Sequence, residues 1–321
     1  MISFRSTEIA FGIKSDRDLN KAFWLFRFIS KQTIVRIGGF LSRLAIKIHF
    51  PISWIVKPTI YSHFCGGITI EECRPTILKL SKYNVRAILD YSVEGKEDPD
   101  EIQAALDETL RTIDNAAQND SIPFTVFKPT AFAVSKVLEK KSAGNPLTPE
   151  EEIEFDKFRN RVDTLCKKAY ELNVPLMVDA EHYCYQDSID SVVMEMMEKY
   201  NHKKAIVYNT YQMYRHDRMD VFRSDLETAR KKDFYLGIKF VRGAYMERER
   251  ERAARLGYPS PIHPDKESTD RAYDAALKYA VENIDRVSIF NGTHNEKSSL
   301  LLTELMEEHR ISRDDFRCYF S

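Results

Sequence analysis

Apolar residues recur along this chain at two spacings, and the alternation between them organises it. Short apolar runs at 85–91, 124–128, 174–179, 205–209, 236–241, 286–290 and 316–320 predict buried strands. The segments between them carry apolar positions at helical steps: Ile102, Leu106, Leu110 and Ile113; Ile153, Phe158, Val162 and Leu165; Ile189, Val192, Met196 and Met197; Leu300, Leu301 and Leu305. Start signals agree with this pattern. Thr69 with Glu72 opens a helix that tolerates Pro75 only near its first turn, and Asp98-Pro99 and Thr148-Pro149 carry Glu101 and Glu151 at the capping-box position. Further helices are predicted over 217–230, from a cap at 268–270, and over 246–256, where Gly257 stops a charged helix.

Some seven strands are each followed by a helix, the pattern of a parallel sheet with crossover connections. No Gly-x-Gly-x-x-Gly follows the first strand, so an open dinucleotide-binding sheet is not indicated. The α/β fold that fits is a (β/α)8 TIM-type barrel, incomplete at its C-terminus, over 66–321. Ahead of it, 1–65 reads as an N-terminal helical arm. Leu19, Phe23, Phe26 and Ile29 mark one helix over 18–31, a second runs to about His49, Pro51 punctuates it, and Gly66-Gly67 separate the arm from the barrel.

Composition narrows the class. A formal net charge of -1 argues against a general nucleic-acid partner. Five scattered cysteines without a Cys-x-x-Cys pair fit a reducing compartment and no disulfide framework. The N-terminus shows no secretory pattern, so a cytoplasmic location is expected. The apolar region 34–61 is interrupted by Arg36, Arg43, Lys47, Pro51 and Lys57 and cannot span a bilayer; it is expected to pack as part of the arm, with peripheral membrane contact as the alternative.

Catalytic residues in such barrels sit at the C-terminal ends of strands. That rule collects Asp90, Glu94, Lys128, Asp179, Gln212, Lys239, Arg242, Thr293 and His294 onto one rim. Lys128, Lys239 and Arg242 suit an anionic ligand. Asp179 can hold a cation, orient a lysine or act as a base, and His294 can donate to a ligand oxygen. Each also has a plain structural reading: Asp179 neutralising a lysine, His294 as a satisfied structural residue, Glu94 as a solvated one. Glu181-His182 looks like a fragment of a metal motif, but no second histidine lies at helical spacing, so no metal is expected.

The run Lys239-Phe-Val-Arg-Gly-Ala-Tyr245 with Glu247-Arg248, then Gly257-Tyr-Pro-Ser-Pro-Ile262, Lys266, Thr269-Asp270, Tyr273 and Thr293-His-Asn295 closely resembles proline dehydrogenase. Met177-Val-Asp-Ala-Glu181, Tyr211-Gln212 and Lys128 stand in the order that family shows, and the likeness covers about 65–321. The resemblance implies a barrel holding non-covalent FAD that oxidises L-proline to Δ1-pyrroline-5-carboxylate and passes electrons to a membrane quinone, with a location peripheral to the inner membrane. It implies that Lys128 meets the proline carboxylate, that Asp179 beside it and Lys239 are catalytic, and that Val178, Gln212, Arg242, Gly243, Ala244, Tyr245, Thr293 and His294 line the flavin. Many relatives carry arginine at the position of Lys239; lysine keeps the charge and loses the bidentate fork. The resemblance further implies an eighth strand and a last helix bearing a tyrosine and paired arginines that clamp the carboxylate. The sequence stops at Ser321, within the seventh strand, so a poorly active fragment is expected. Two other readings compete: a Schiff-base barrel lyase using Lys128, and a flavin-binding fragment without turnover.

Overall fold

The structure, a computed structural model, describes residues 4–91, 94, 95 and 97–321. It divides into two compact units, Met1–Ala87 and Ile88–Ser321.

The first unit is helical: α1 (Thr7–Phe11), α2 (Asp16–Ile29), α3 (Gln32–Lys47), the short α4 (Ser53–Val56) and α5 (Ser62–Phe64), and α6 (Ile70–Ser81). Helix α2 starts two residues earlier than its apolar spacing predicts. Ser15 caps it and exchanges a reciprocal pair of bonds with Asp18, the capping box that the sequence holds one turn ahead of the apolar stripe. Thr69 caps α6 by accepting from the Glu72 amide, but the Glu72 carboxylate accepts from Ile68 and not from the cap itself. The helix continues through Pro75, farther from its start than the expected first turn.

The second unit contains β1 (Leu89–Asp90), α7 (Pro99–Ala117), β2 (Thr125–Phe127), α8 (Ser135–Ser142), α9 (Pro149–Glu171), β3 (Leu176–Val178), α10 (Tyr183–Tyr200), β4 (Val207–Gln212), α11 (Arg218–Lys232), β5 (Leu236–Val241), α12 (Met246–Leu256), α13 (Lys266–Glu282), β6 (Val287–Asn291), α14 (Glu296–Glu308) and β7 (Cys318–Phe320). All seven strands pair in parallel, in chain order. The predicted α/β barrel-type succession of strands and crossover helices is what the structure contains, as a single curled sheet.

Several helix details differ from the sequence pattern. On α9 the inward stripe is Phe155, Phe158, Val162 and Leu165, at steps of three and four; Ile153 is off that stripe and 56 % exposed. Helix α13 is capped by Asp265, which accepts from the Ser268 amide, so residues 268–270 lie in its first turn and are not its cap. On α14, Leu302, Leu305 and Met306 are buried, while Leu300 and Leu301 are half-buried. Strand β1 is only two residues long, shorter than the run at 85–91 suggests.

The curl is set by the residues that the strand period of two points inward. Ile88, Phe124, Val126, Met177, Tyr208, Phe290 and Tyr319 pack together there. Strands β2 and β7 are five places apart, which on a flat sheet means about 24 Å. Yet the Phe124 ring, just ahead of β2, meets the Tyr319 ring of β7 edge to face with centroids 4.6 Å apart. Phe124 also meets Tyr208 and Phe290, each at 5.2 Å. The interior is therefore a packed core supplied largely by alternate strands. Gly237 on β5 is part of this fit, since a Cβ there would lie 2.5 Å from the Val207 carbonyl oxygen and 2.6 Å from the Tyr208 ring.

Gly237→Ala must displace backbone or the Tyr208 ring, and is expected to destabilise by about 1–3 kcal/mol in denaturant unfolding. On the outer side of β4, Tyr211 donates to Asp225 of α11. Burial, with Asp190 adding and the Tyr211 bond and Arg218 opposing, pushes Asp225 up to about 6. The folded state then holds this proton more tightly than the unfolded chain, whose carboxyl titrates near 4, so stability falls as pH rises from about 4 to about 6. Asp225→Asn is expected to remove that slope. The difference in unfolding free energy between wild type and variant should change by on the order of 2 kcal/mol across the window.

Candidate active site

The period of two that points Phe124 and Val126 into the core also points Lys128, one residue past β2, to the same side. Strand register then sets its neighbours. Phe127, Val178, Asn209, Ile238 and Ile289 pair across β2 to β6, so the next residues in line are Lys128, Asp179, Thr210, Lys239 and Phe290. Two lysines and an aspartate thus stand in one row at the C-terminal rim.

Asp179 accepts from both lysines, at 3.2 Å from Lys128 Nζ and 2.6 Å from Lys239 Nζ. All three side chains are 16–18 % exposed. Ion pairs this far from water interact strongly and lose little to screening. Lys128 lies a further 3.4 Å from the more exposed Glu94. Burial alone would lower its pKa, but Asp179, with Tyr245 and Asp90, outweighs that and raises it above the ordinary lysine value.

Arg242, the residue after β5, is held on three sides. Its Nε donates to Asp270 at 2.7 Å, one terminal nitrogen to Thr293 at 2.6 Å and the other to Ser298 at 3.0 Å, with its plane over the Tyr273 ring at 4.4 Å. This guanidinium ties the end of β5 to α13 and to the turn before α14, and it positions Thr293. Gly243 follows with φ +131, where a Cβ would meet the Tyr214 ring at 2.5 Å, so the turn that swings Ala244 and Tyr245 across the rim requires glycine. Gln212 spans the gap to that turn: its amide nitrogen donates to the Glu181 carbonyl at 2.7 Å, and its oxygen accepts from the Ala244 amide at 3.4 Å. Tyr245 leans on His182 with ring centroids 4.3 Å apart and donates to Glu94 at 3.4 Å.

These groups surround one cleft of about 620 Å³, lined by Lys128, Asp179, Gln212, Lys239, Arg242, Gly243, Ala244, Tyr245, Thr293 and His294 together with Ala180, Thr210, Val241, Lys266, Gly292 and Asn295. Val178 does not join them; it lies within β3, fully buried, with alternation turning its side chain to the opposite side from Asp179. The last six residues were not singled out as site residues from sequence. Thr210 and Val241 were findable, lying two residues from Gln212 and Lys239 on the same strand faces; Lys266 opens a distant helix, and of the sequence signals only the family resemblance includes it. Glu181 and His182 turn to different partners. Glu181 is buried and accepts from the Thr130 amide at 2.7 Å and hydroxyl at 2.6 Å, while His182 lies 2.9 Å from Glu249. Burial raises the Glu181 carboxyl despite those bonds. Thr130 in turn accepts from the Gly95 amide, so one buried carboxyl fastens the loops after β1, β2 and β3 together.

The cleft's chemistry suits a flat, acceptor-rich anionic group such as the flavin that the resemblance implies. Ala180, Val241, Ala244 and Gly292 give apolar wall, and Lys239, Arg242 and Lys266 give cationic edge. The Thr210 hydroxyl, 4 % exposed and on the cleft lining, has no partner within the protein, and so is free for a ligand atom.

Comparison with known proteins agrees with this geometry. The proline dehydrogenase family model matches residues 73–321. Proline dehydrogenase 1, mitochondrial, of Dictyostelium discoideum is 31 % identical over 307 residues, covering 81 % of this chain and 53 % of that protein. The carbapenem antibiotics biosynthesis protein CarD of Pectobacterium carotovorum subsp. carotovorum is 33 % identical over 243 residues, covering 76 % of this chain and 64 % of its own length. Among solved structures, proline utilization A from Bdellovibrio bacteriovorus, inactivated by N-propargylglycine, superposes with a TM-score of 0.72 at 18 % identity, covering 97 % of this chain and 33 % of that one. The chain thus spans between about half and two thirds of the length of these two sequence relatives. A family model matched over most of the sequence, with the barrel-type sheet and the rim built around Asp179, shows that this chain belongs to the proline dehydrogenase family.

Proposed function

We propose that this chain carries the active site of a flavin-dependent enzyme that oxidises L-proline to Δ1-pyrroline-5-carboxylate in proline catabolism and passes the electrons to a membrane quinone. The observation that carries the reading is a carboxylate, Asp179, shared by two lysines from different strands on the wall of a cleft whose other lining residues are neutral or cationic.

FAD, when bound, supplies the hydride acceptor, and the protein supplies placement and charge. Lys239, Gln212, Arg242, Gly243, Ala244, Tyr245, Thr293 and His294 would hold it, with Thr210 as an added polar contact; Val178 supports the floor from within β3 and does not touch the cleft. Lys128 is the anchor for the substrate carboxylate. It stays charged, and its outer partner Glu94 is exposed enough to give way to a carboxylate from solvent. Asp179 positions both ammonium groups, so that an anchored substrate presents the carbon next to its ring nitrogen at a fixed distance from the cofactor wall. Lys239 and Arg242 line the same cleft and would offer positive charge to a bound cofactor that takes up electrons. A Schiff-base lyase would need Lys128 neutral, the opposite of what its surroundings produce.

The purified protein is expected to show a flavin absorption spectrum that bleaches on anaerobic addition of L-proline. Flavin without bleaching would instead support a flavin-binding protein without turnover, and a protein that takes up no flavin would overturn the reading. Lys128→Met is expected to keep the flavin spectrum and to raise the KM for L-proline roughly 10- to 100-fold, the size of one charge-assisted hydrogen bond. An unchanged KM would remove Lys128 from substrate binding.

A further inference from the structure

Glu249, in the first turn of α12, is fully buried and is not among the residues that line the cleft. A buried carboxylate is costly unless donors meet it. Its donors come from the start of α10: the Tyr183 amide at 3.0 Å and the His182 ring, whose Nδ1 lies 2.9 Å away, both on Oε1. An oxygen that already accepts from an amide leaves Nδ1 as the donor of the second bond. His182 itself immediately precedes α10 and makes no capping bond. A serine or aspartate there would cap the helix locally. Instead the acceptor arrives from α12, 67 residues on, and position 182 is left to carry a ring.

That ring packs on Tyr245, with centroids 4.3 Å and planes 40° apart, and Tyr185 meets it edge to face at 5.8 Å. Tyr245 is the residue before α12, and its carbonyl accepts from the Glu249 amide at 2.9 Å. Glu249 therefore holds Tyr245 twice, once through the helix backbone and once through His182. The free end of Tyr245 points toward Lys128: its hydroxyl donates to Glu94 at 3.4 Å, and Glu94 lies 3.4 Å from the Lys128 ammonium. Of the three residues in this column, only Tyr245 lines the cleft.

We infer that His182, oriented by Glu249, is a positioning residue that fixes the Tyr245 ring beside Lys128 and so sets the affinity for the substrate. The inference rests on the reading of Lys128 as the anchor of the substrate carboxylate. Without the imidazole behind it the tyrosine ring would reach other rotamers, and the space beside the ammonium would lose its shape.

The test measures L-proline affinity without turnover, from the rise in melting temperature that L-proline gives the protein as purified, with any flavin reduced beforehand by dithionite. His182→Ala is expected to weaken that affinity roughly 2- to 10-fold, the worth of one aromatic pair, with the flavin content of wild type. In steady state the loss should fall in KM and not in kcat. His182→Asn keeps a side-chain donor for Glu249 but has no ring, and it should be as weak as His182→Ala. In a Tyr245→Ala background the His182→Ala change should cost nothing further, since its effect passes through the tyrosine. Wild-type affinity in His182→Ala or His182→Asn would overturn the inference, the latter by leaving His182 only a role at the start of α10. Additive losses in the double variant would overturn it too. Wild-type protein that binds L-proline without flavin bleaching would sink the oxidation reading and leave this one standing, whereas wild-type protein with no affinity for L-proline would sink both.

Discussion

Everything at the rim depends on how tightly the inside of the sheet is filled. Phe124, Tyr208, Phe290 and Tyr319 meet edge to face in the interior, and they bring strands that a flat sheet would hold far apart into side-chain contact. Lys128 is two strand steps beyond Val126 and four beyond Phe124, on the same side. The aromatic packing that curves the sheet therefore also lets one aspartate on β3 reach a lysine from β2 and another from β5. Core and site are successive layers of the same inward-facing residues. A change that loosened the aromatic layer would be felt first as a misplaced ammonium group.

The rim is rigid because its charges and polar groups are satisfied by one another. Arg242 directs three donors to Asp270, Thr293 and Ser298, and the Ser298 hydroxyl in turn donates to Asp274 at 2.6 Å. Buried polar groups bound in this way specify one arrangement, since each alternative leaves a donor or carboxylate unpaired in a poorly solvated place. Glu181 does the same for the loops on the other side of the cleft, where Thr130 and Gly95 depend on it in turn. Against this saturated background the Thr210 hydroxyl is conspicuous as a buried group on the cleft wall with no protein partner.

Much of the barrel was legible because local signals were consistent. Each strand is a short apolar run, those from β1 to β6 are followed by helices, several of them with a clear start signal, and alternation alone places Lys128, Asp179 and Lys239 on the inner side. The misses have specific causes. Asp265 and Ser268 are both competent caps, and only the folded turn decides that Asp265 serves. Ile153 is apolar but off the stripe set by Phe155, Phe158, Val162 and Leu165. Val178 adjoins Asp179 in sequence, yet a strand turns neighbours to opposite faces. The partners of Glu181 and the approach of Lys266 depend on distant loops meeting in space, which no spacing along the chain encodes. In the arm the sequence shows amphipathic helices clearly, but what covers their apolar faces is a matter of surroundings and not of pattern.

The contact between Gly237 and Tyr208 carries a consequence for how such a chain can diverge. The barrel interior has a fixed volume, and the missing side chain at 237 is the space that the tyrosine ring occupies. The two positions cannot drift independently: a larger residue at 237 needs 208 to shrink and the strand carrying the Val207 carbonyl to give way as well, and shrinking 208 first leaves a void. Among descendants of this sequence the pair should therefore change together or stay as it is, an exchange of volume across the barrel that leaves the row of charges above it where it stands.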